Sequence, residues 1–396
     1  MHAVSVDATR WSIVTGSYSR AATARSLSEE GSLLKIAQIA PLNESVPPEL
    51  YGGTERIVSY LTEELVRLGH EVTLFASGDS NTSARLVPCS PAALRLDPSV
   101  KDPLPHHIIM LEEVRQRVDD FDVLHFHIDL LHAPLVRELS DRTVTTLHGR
   151  LDLPDLQPFY ETFGDLPLVS ISYDQRRPIA SAGWVGNVYH GLPRDLLPFR
   201  HEPAGDGYLA FAGRIAPEKR PDRAIEIAAR AGLPLKIAAK VDKVDEAYWA
   251  EIIEPMVRSH ANVDFIGEVN DEEKPEFLGN ARALLFPIDW PEPFGLVMIE
   301  AMSCGTPVIA FNRGSVPEVI DEGVTGMIVE TVDQAVEAVS RLDRIDRRTV
   351  RSTFERRFTV ERMAKDYLEI YSNLPGMRLK KARLPRFRKV VPNSPK

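Results

Sequence analysis

The sequence predicts an α/β fold made of two doubly wound, Rossmann-type domains. Residues 35–75 run strand, glycine loop, helix, strand, which is the unit of a doubly wound sheet. The same grammar restarts over residues 208–240, after a stretch at 194–207 rich in Pro, Arg, Glu and Gly that reads as a linker. The chain has 396 residues, 43% hydrophobic and 26% charged, enough for about two domains with sizeable cores. The expected layout is an N-terminal domain over 34–195 and a C-terminal domain over 206–358, with a last helix at 359–373.

Taken in order, residues 1–33 are rich in Ser, Ala and Arg and lack the apolar run of a signal peptide. They are expected to be a disordered extension. Residues 35–40 read as a buried strand. A Pro-rich loop leads to Gly52-Gly53-Thr54-Glu55, and a helix follows with Ile57, Leu61, Leu65 and Val66 on one face. The two glycines let backbone approach a ligand, and the helix start faces it. Residues 71–75 form the next strand.

Residues 122–127 read as a strand preceded by Asp120-Phe121-Asp122, an Asp-x-Asp spelling found at metal sites. Ligands of open α/β sheets sit beyond the carboxyl ends of strands. This Asp pair comes before its strand, so the metal reading is set aside. Residues 143–147 form a strand that delivers His148-Gly149-Arg150 at its carboxyl end, where a functional histidine is expected. His125, His127 and His132 read as core residues. Residues 168–172 are a strand, with a helix expected from Tyr173.

The second half opens with a strand at 208–212 and a loop carrying Arg214, Lys219 and Arg220. A helix at 222–231 and strands at 234–240, 262–267 and 283–287 follow. Arg grips phosphate oxygens as a fork and Lys adds a compact charge. The densest motif comes next, PEPFGLVMIEAMSCGTPVIAFNRGSVPEV from Pro291 to Val319. It places Glu292 in a loop and Glu300 in the second turn of a helix starting near Gly295. Eight continuous helical residues would separate them by about 12 Å. That exceeds the ~5–9.5 Å of a glycosidase carboxylate pair. It suits two carboxylates gripping different parts of one long ligand, with a helix N-terminus between them as a seat for phosphate. Residues 308–311 are a short buried strand.

Glu292-x7-Glu300, with its PFG, EAM, GTPVIA and GSVPEV strings, resembles the signature of retaining glycosyltransferases of family 4, which have the GT-B fold. The resemblance covers roughly residues 35–371 and is more specific in the second half. It implies two Rossmann-like domains facing across a cleft, with the last helix packing back on the N-terminal domain. It implies that Glu292 contacts the donor sugar and Glu300 the ribose, and that Arg214 and Lys219 contact the diphosphate. Phe294, Gly295 and Leu296 would meet sugar and phosphates through their backbone. Gly52 and Gly53 would close the diphosphate pocket, His148 would lie near the reacting sugar, and Gly267 and Val269 would cradle the base. The catalytic candidates are thus Glu292 and His148. The family resemblance implies retention of configuration without a metal or other cofactor. A UDP-linked hexose donor is expected, with an acceptor that is a saccharide, a lipid-linked group or a small molecule. Two alternatives share the fold: a catalytically silent nucleotide-sugar-binding protein and a nucleotide-sugar epimerase.

A net charge of −10 argues against nucleic acid as a main partner. Two cysteines, Cys89 and Cys304, build no disulfide framework and fit a reducing cytoplasm. No run of eighteen apolar residues suggests a membrane span. Residues 375–396 are basic, with Arg378, Lys380, Lys381, Arg383, Arg386, Arg388 and Lys389 and no acid. A solvated tail is expected there, with peripheral contact at an anionic membrane surface as the sharper reading.

Overall fold

The computed structural model of the chain describes residues 33–49, 52–95 and 97–378. The expected N-terminal extension up to residue 32, and the basic tail from 379 onward, lie outside the described residues.

The first sheet holds β1 (Lys35–Ile39), β2 (Glu71–Ser77), β3 (Arg85–Ser90), β4 (Val123–Phe126), β5 (Thr143–Thr146), β6 (Leu168–Ser170) and β7 (Trp184–Asn187). Its order is β3-β2-β1-β4-β5-β6-β7, parallel throughout. The second sheet holds β8 (Tyr208–Arg214), β9 (Leu235–Lys240), β10 (Val263–Gly267), β11 (Ala281–Phe286), β12 (Val308–Phe311) and β13 (Gly326–Val329). Its order is β10-β9-β8-β11-β12-β13, again parallel. Strands covered on both faces read as continuous apolar runs. Leu209, Ala210 and Phe211 of β8 and Leu284 and Leu285 of β11 are buried in this way. The polar exception in β1 is Gln38, which is fully buried.

Three strands escape the sequence reading. β3 and β7 are edge strands, partly exposed, and β3 contains Pro88, which an edge tolerates. β13 is only four residues long. The helix expected from Tyr173 does not form. Turns there lead into one 3-10 turn, Arg177–Ile179. Pro178 supplies no N–H and biases the residue before it away from helical geometry.

The terminal helix (Val360–Asn373) is started by Thr359, whose side chain accepts the Arg362 N–H. It buries Met363, Tyr367 and Tyr371 against Ile36, Val123, Val144 and Val169 of the first sheet and Leu61 and Leu65 of the first helix (Gly53–Arg67). Residues 375–378 continue as helix, and Met377 joins the same core. Residues 375–378, expected to belong to a solvated tail, are ordered instead, because Pro375 can open a turn and Met377 has an apolar seat.

The chain passes between the halves at two places that lie side by side. Leu192 donates its N–H to Phe358 O and accepts from Val360 N, both at 2.9 Å. The stretch expected to be a linker is packed. Leu197 is buried, Arg200 N donates to Cys304 O at 3.0 Å, and Arg351 donates to the carbonyls of Arg194 and Leu197.

Gly191 sits at this crossing, where a Cβ would stand 2.3 Å from Thr359 O. Backbone cannot yield as a side-chain tip can, so Gly191→Ala is expected to destabilise by about 1–3 kcal/mol, as other overpacking does. Thermal unfolding checks it, at roughly 2–4 °C per kcal/mol. An unchanged Tm would mean that the crossing relaxes without cost.

Candidate active site

In each sheet the strand order reverses once, between β1 and β4 and between β8 and β11. Chains leaving neighbouring strands at such a point diverge and open a crevice. The two crevices share one cavity of about 910 Å3. Gly52 and Gly53 reach it after β1, His127 and Asp129 after β4, and His148 and Gly149 after β5. From the second sheet come Arg214 at the end of β8 and Lys219 after it, Val269 after β10, and Trp290, Glu292 and Phe294 after β11.

Two helices begin at this cavity. The first helix starts at Gly53, and the clamp helix (Leu296–Ser303) starts behind Gly295. Neither N-terminus has a side-chain cap, so backbone N–H groups remain for a ligand. The two starts face each other, since a Cβ on Gly53 would stand 3.5 Å from Leu296 Cδ1. Gly295 holds φ +77°, a left-handed value that glycine adopts without strain.

The GSVPEV string braces this arrangement from below. Ser315 N donates to Glu292 O at 3.0 Å and its Oγ to Phe294 O at 2.9 Å. Gly314 packs so closely under Glu292 that a Cβ would stand 2.4 Å from its backbone N and O. Glu318 clasps the opposite half, accepting the N–H groups of Tyr173 and Asp174 at 2.7 Å each and the Tyr189 hydroxyl at 2.9 Å.

The charged groups are paired in this state. Lys219 Nζ bonds Glu292 Oε2, which also accepts Trp290 Nε1–H at 3.0 Å. Lys219 lies 4.6 Å from the centre of the Trp290 ring, a cation–π contact. Arg214 pairs with Glu218 and lies 3.5 Å from Asp245. Glu300 Oε1 accepts from Lys274 Nζ at 2.9 Å. Lys274 is 3.4 Å from Asp271, which takes Arg56 of the first helix. An ionic chain thus runs from Glu300 across the cleft.

His148 Nε2 is 2.9 Å from His127 Nδ1, and His127 Nε2 is 2.7 Å from Gln38 Oε1. The carbonyl oxygen of Gln38 only accepts, so His127 carries its proton on Nε2 and accepts at Nδ1. His148 must then donate from Nε2, which leaves Nδ1 as a lone pair, and that atom has no hydrogen-bond partner. Burial lowers the His148 pKa to about 3, so the ring is neutral. Burial also lowers the pKa values of His127 and His190 well below the usual histidine range. Beneath them His125 bonds Tyr371 OH at 2.7 Å and Thr146 Oγ1 at 2.8 Å.

Of the residues singled out in the sequence, Glu292, His148, Arg214, Lys219, Glu300, Phe294, Gly295, Leu296, Gly52, Gly53 and Val269 all line this cavity. Gly267 does not. It ends β10 at φ +78° and turns the chain toward Val269. Asp122 lies at the other end of its strand, its carboxylate accepting the Lys35 N–H at 2.9 Å. His125 and His132 are core residues as expected, whereas His127 departs from that expectation by lining the cavity and fixing His148. Trp290 and His190 also line the cavity, and the sequence reading gave neither a role. Arg56 and Asp271 give no local signal, because their pairing spans 215 residues, and Lys274 reaches Glu300 across 26.

The family model described as Glycosyl transferases group 1 matches residues 194–348, and that described as Glycosyltransferase Family 4 matches residues 51–178. A phosphatidyl-myo-inositol mannosyltransferase of Mycolicibacterium smegmatis is 26% identical over 336 residues, 76% of this chain and 82% of that protein. O-antigen chain mannosyltransferase C of Escherichia coli is 24% identical, covering 83% of this chain and 96% of its own. Among solved structures, AviGT4, a glycosyltransferase involved in avilamycin A biosynthesis, superposes with a TM-score of 0.64 at 24% identity, over 86% of this chain and 98% of that one. Anabaena Alr3699/HepE, in complex with UDP and glucose, gives 0.65 at 16% identity over 86% and 100%.

Glu55 at the cavity wall is 5% exposed. Desolvation, with Glu44 adding repulsion, raises its pKa from 4.5 to about 7 despite backbone N–H bonds and Arg95. The folded protein holds this proton more tightly than the unfolded chain does. The stabilisation is complete below about pH 4.5 and is lost as pH rises through about 7. Glu55→Gln is expected to raise Tm at pH 8 by more than at pH 5. Thermal unfolding at the two pH values checks this, and an equal effect at both would refute the raised pKa.

Proposed function

The chain belongs to the family 4 glycosyltransferases of the GT-B fold, and on that premise we propose that it transfers a hexose, with retention and without a metal, from a nucleoside-diphosphate sugar to an acceptor hydroxyl. One observation carries the reading. Two uncapped helix starts, one from each sheet, meet Arg214 and Lys219 in a cavity that also holds Glu292 and Glu300.

The diphosphate lies against the two helix starts. As the bond from sugar C1 to phosphate oxygen breaks, Arg214 and Lys219 offset the growing negative charge, the role that a metal ion fills elsewhere. An incoming phosphate competes with Glu218 and Glu292 for these cations, which are already in place. Glu292, anchored by Trp290 Nε1–H, accepts donor-sugar hydroxyls. Glu300 accepts the ribose hydroxyls beside Lys274. His148 lines the same cavity beside the donor sugar, and its ring, held neutral by burial, takes no proton from the acceptor. The acceptor oxygen bonds C1 from the face that the diphosphate leaves, and its proton passes to the departing phosphate oxygen. Glu292 stays ion-paired and hydrogen-bonded, which suits an electrostatic partner better than a nucleophile. Uridine remains our choice of base. The mannosyltransferase names of the relatives make GDP-mannose the second donor to test.

Thermal shift with UDP, GDP and ADP, each with magnesium or with chelator, tests this. One nucleotide is expected to raise Tm equally in chelator, and at ~100 times its Kd the gain is about 2.7 kcal/mol. Arg214→Ala should weaken that shift. Glu292→Ala should keep it yet lose transfer by about 100-fold or more, the scale of a lost transition-state contact. A shift seen only with magnesium sinks the metal-free mechanism, and no shift with any nucleotide sinks the donor site.

A further inference from the structure

Gln38 on β1, His125 on β4 and Thr146 on β5 are polar where buried parallel strands are ordinarily apolar. Side chains alternate along a strand, so these residues share the face of Ile36, Val123 and Val144, which pack under the terminal helix. Gln38 and His125 are partners in register. The polar row therefore lies one step beyond that apolar row, on the side where the strands deliver their ends to the cavity. Gln38, His125, Thr146, Tyr367 and Tyr371 are all fully buried. Burying such groups costs free energy that Leu or Val in the same row would not.

The row is one connected hydrogen-bond chain. Gln38 Nε2 donates to Tyr371 OH at 3.4 Å, while Gln38 Oε1 accepts from His127 Nε2 at 2.7 Å. Tyr371 then has its own proton for His125 Nδ1, at 2.7 Å, and His125 Nε2–H is left for Thr146 Oγ1 at 2.8 Å. Tyr367 OH stands 2.9 Å from Thr146 Oγ1, as the end of a side branch. Burial lowers the pKa values of His125 and His127 well below the usual range, so both rings are neutral. A neutral imidazole has one donor and one acceptor nitrogen, so each ring passes on the direction set by its neighbour. Reversing one bond alone would strand a buried proton or lone pair, so the members share one polarity. At the cavity the chain ends on His148, whose Nε2–H to His127 is the one hydrogen bond its ring makes among the described residues.

We infer that Gln38 and Tyr371 are positioning residues for sugar transfer: through His127 they hold the His148 ring in one orientation and one tautomer beside the donor sugar. Neither touches the substrate. The inference rests on the glycosyltransferase reading above and adds to it a part played by the terminal helix. Without the Tyr371 hydroxyl, the Gln38 amide loses the partner that distinguishes its N–H side from its C=O side. Either side then meets His127 Nε2, and the tautomers of His127 and His148 follow it.

NMR on full-length protein with isotope-labelled histidine reads the tautomer directly, the His148 signals being assigned by comparison with His148→Ala. The ring-nitrogen shifts of His148 are expected to show the Nε2–H tautomer alone. In Tyr371→Phe and in Gln38→Met they should move toward an average of the two tautomers. A wild-type ring already averaged, or a ring unmoved in both variants, overturns the inference, and this readout needs no turnover. Nucleoside diphosphate release from UDP-glucose and from GDP-mannose, with water as acceptor, is then measured well below Tm. Tyr371→Phe and Gln38→Met should lower kcat about 10- to 100-fold with KM unchanged, since a misplacement of about 1 Å can cost on the order of 100-fold. Tyr367→Phe is the control, because it removes a hydroxyl from the same helix and core but lies off the path from Tyr371 to His148. It should lower Tm as Tyr371→Phe does and keep kcat. An equal fall in kcat in the two variants would mean a general loosening of the helix and overturn the positioning role, as would full kcat in Tyr371→Phe. A wild-type protein whose Tm no nucleotide shifts overturns the glycosyltransferase reading, whereas the tautomer result stands or falls by itself.

Discussion

A parallel sheet sends all its strands to the same edge, and a doubly wound one splits its connections at a single point. Everything at the cavity depends on that constraint being met twice. The connections leaving β1 and β4 and those leaving β8 and β11 diverge at the reversal in each sheet. They carry Gly53, His127, Arg214, Lys219 and Glu292. The helix starts follow from the same geometry, because a helix that covers the sheet begins where its strand ends. Opposed helix N-termini are therefore a product of topology, and the side chains act on a seat that backbone has already made electropositive.

The charges at this seat neutralise one another before any ligand competes for them. Lys219 with Glu292 and Lys274 with Glu300 are largely buried pairs, and a lone buried charge would be costly. Pairing keeps both cations and both carboxylates aimed, so that little reorganisation is left for the moment of reaction. The Glu300 pair does more than wait. Through Asp271 it continues to Arg56 on the first helix, so a group that grips Glu300 also acts on a contact between the halves.

Much of this was legible from residue order. The strand, glycine loop and helix units stand out because buried parallel strands are uniformly apolar, and the clamp was visible as two carboxylates around a helix start. The edge strands β3 and β7 were not legible, since half-exposed edges lose the apolar run. His127 read as core and is buried, but whether a side chain just past a strand borders the cleft depends on neighbours distant in sequence, which spacing does not encode. GSVPEV was recognisable as a string, but its work appears only in space. Gly314 and Ser315 prop Glu292, while Glu318 holds the other half. Gly267 shows the opposite error, where a turn glycine beside a lining residue was read as a lining residue itself.

The terminal helix carries a consequence for how the protein is made. Its tyrosines and Met363 complete the core under β1, β4, β5 and β6, strands synthesised near the start of the chain. Domains usually fold in order as they emerge during synthesis. Here the second sheet and its helices can close while the first still lacks a wall, and the earlier-made half finishes last. Until Tyr371 leaves the ribosome, Ile36, Val123, Val144 and Val169 have no cover from that helix, and the nascent chain carries an open apolar face through most of its translation.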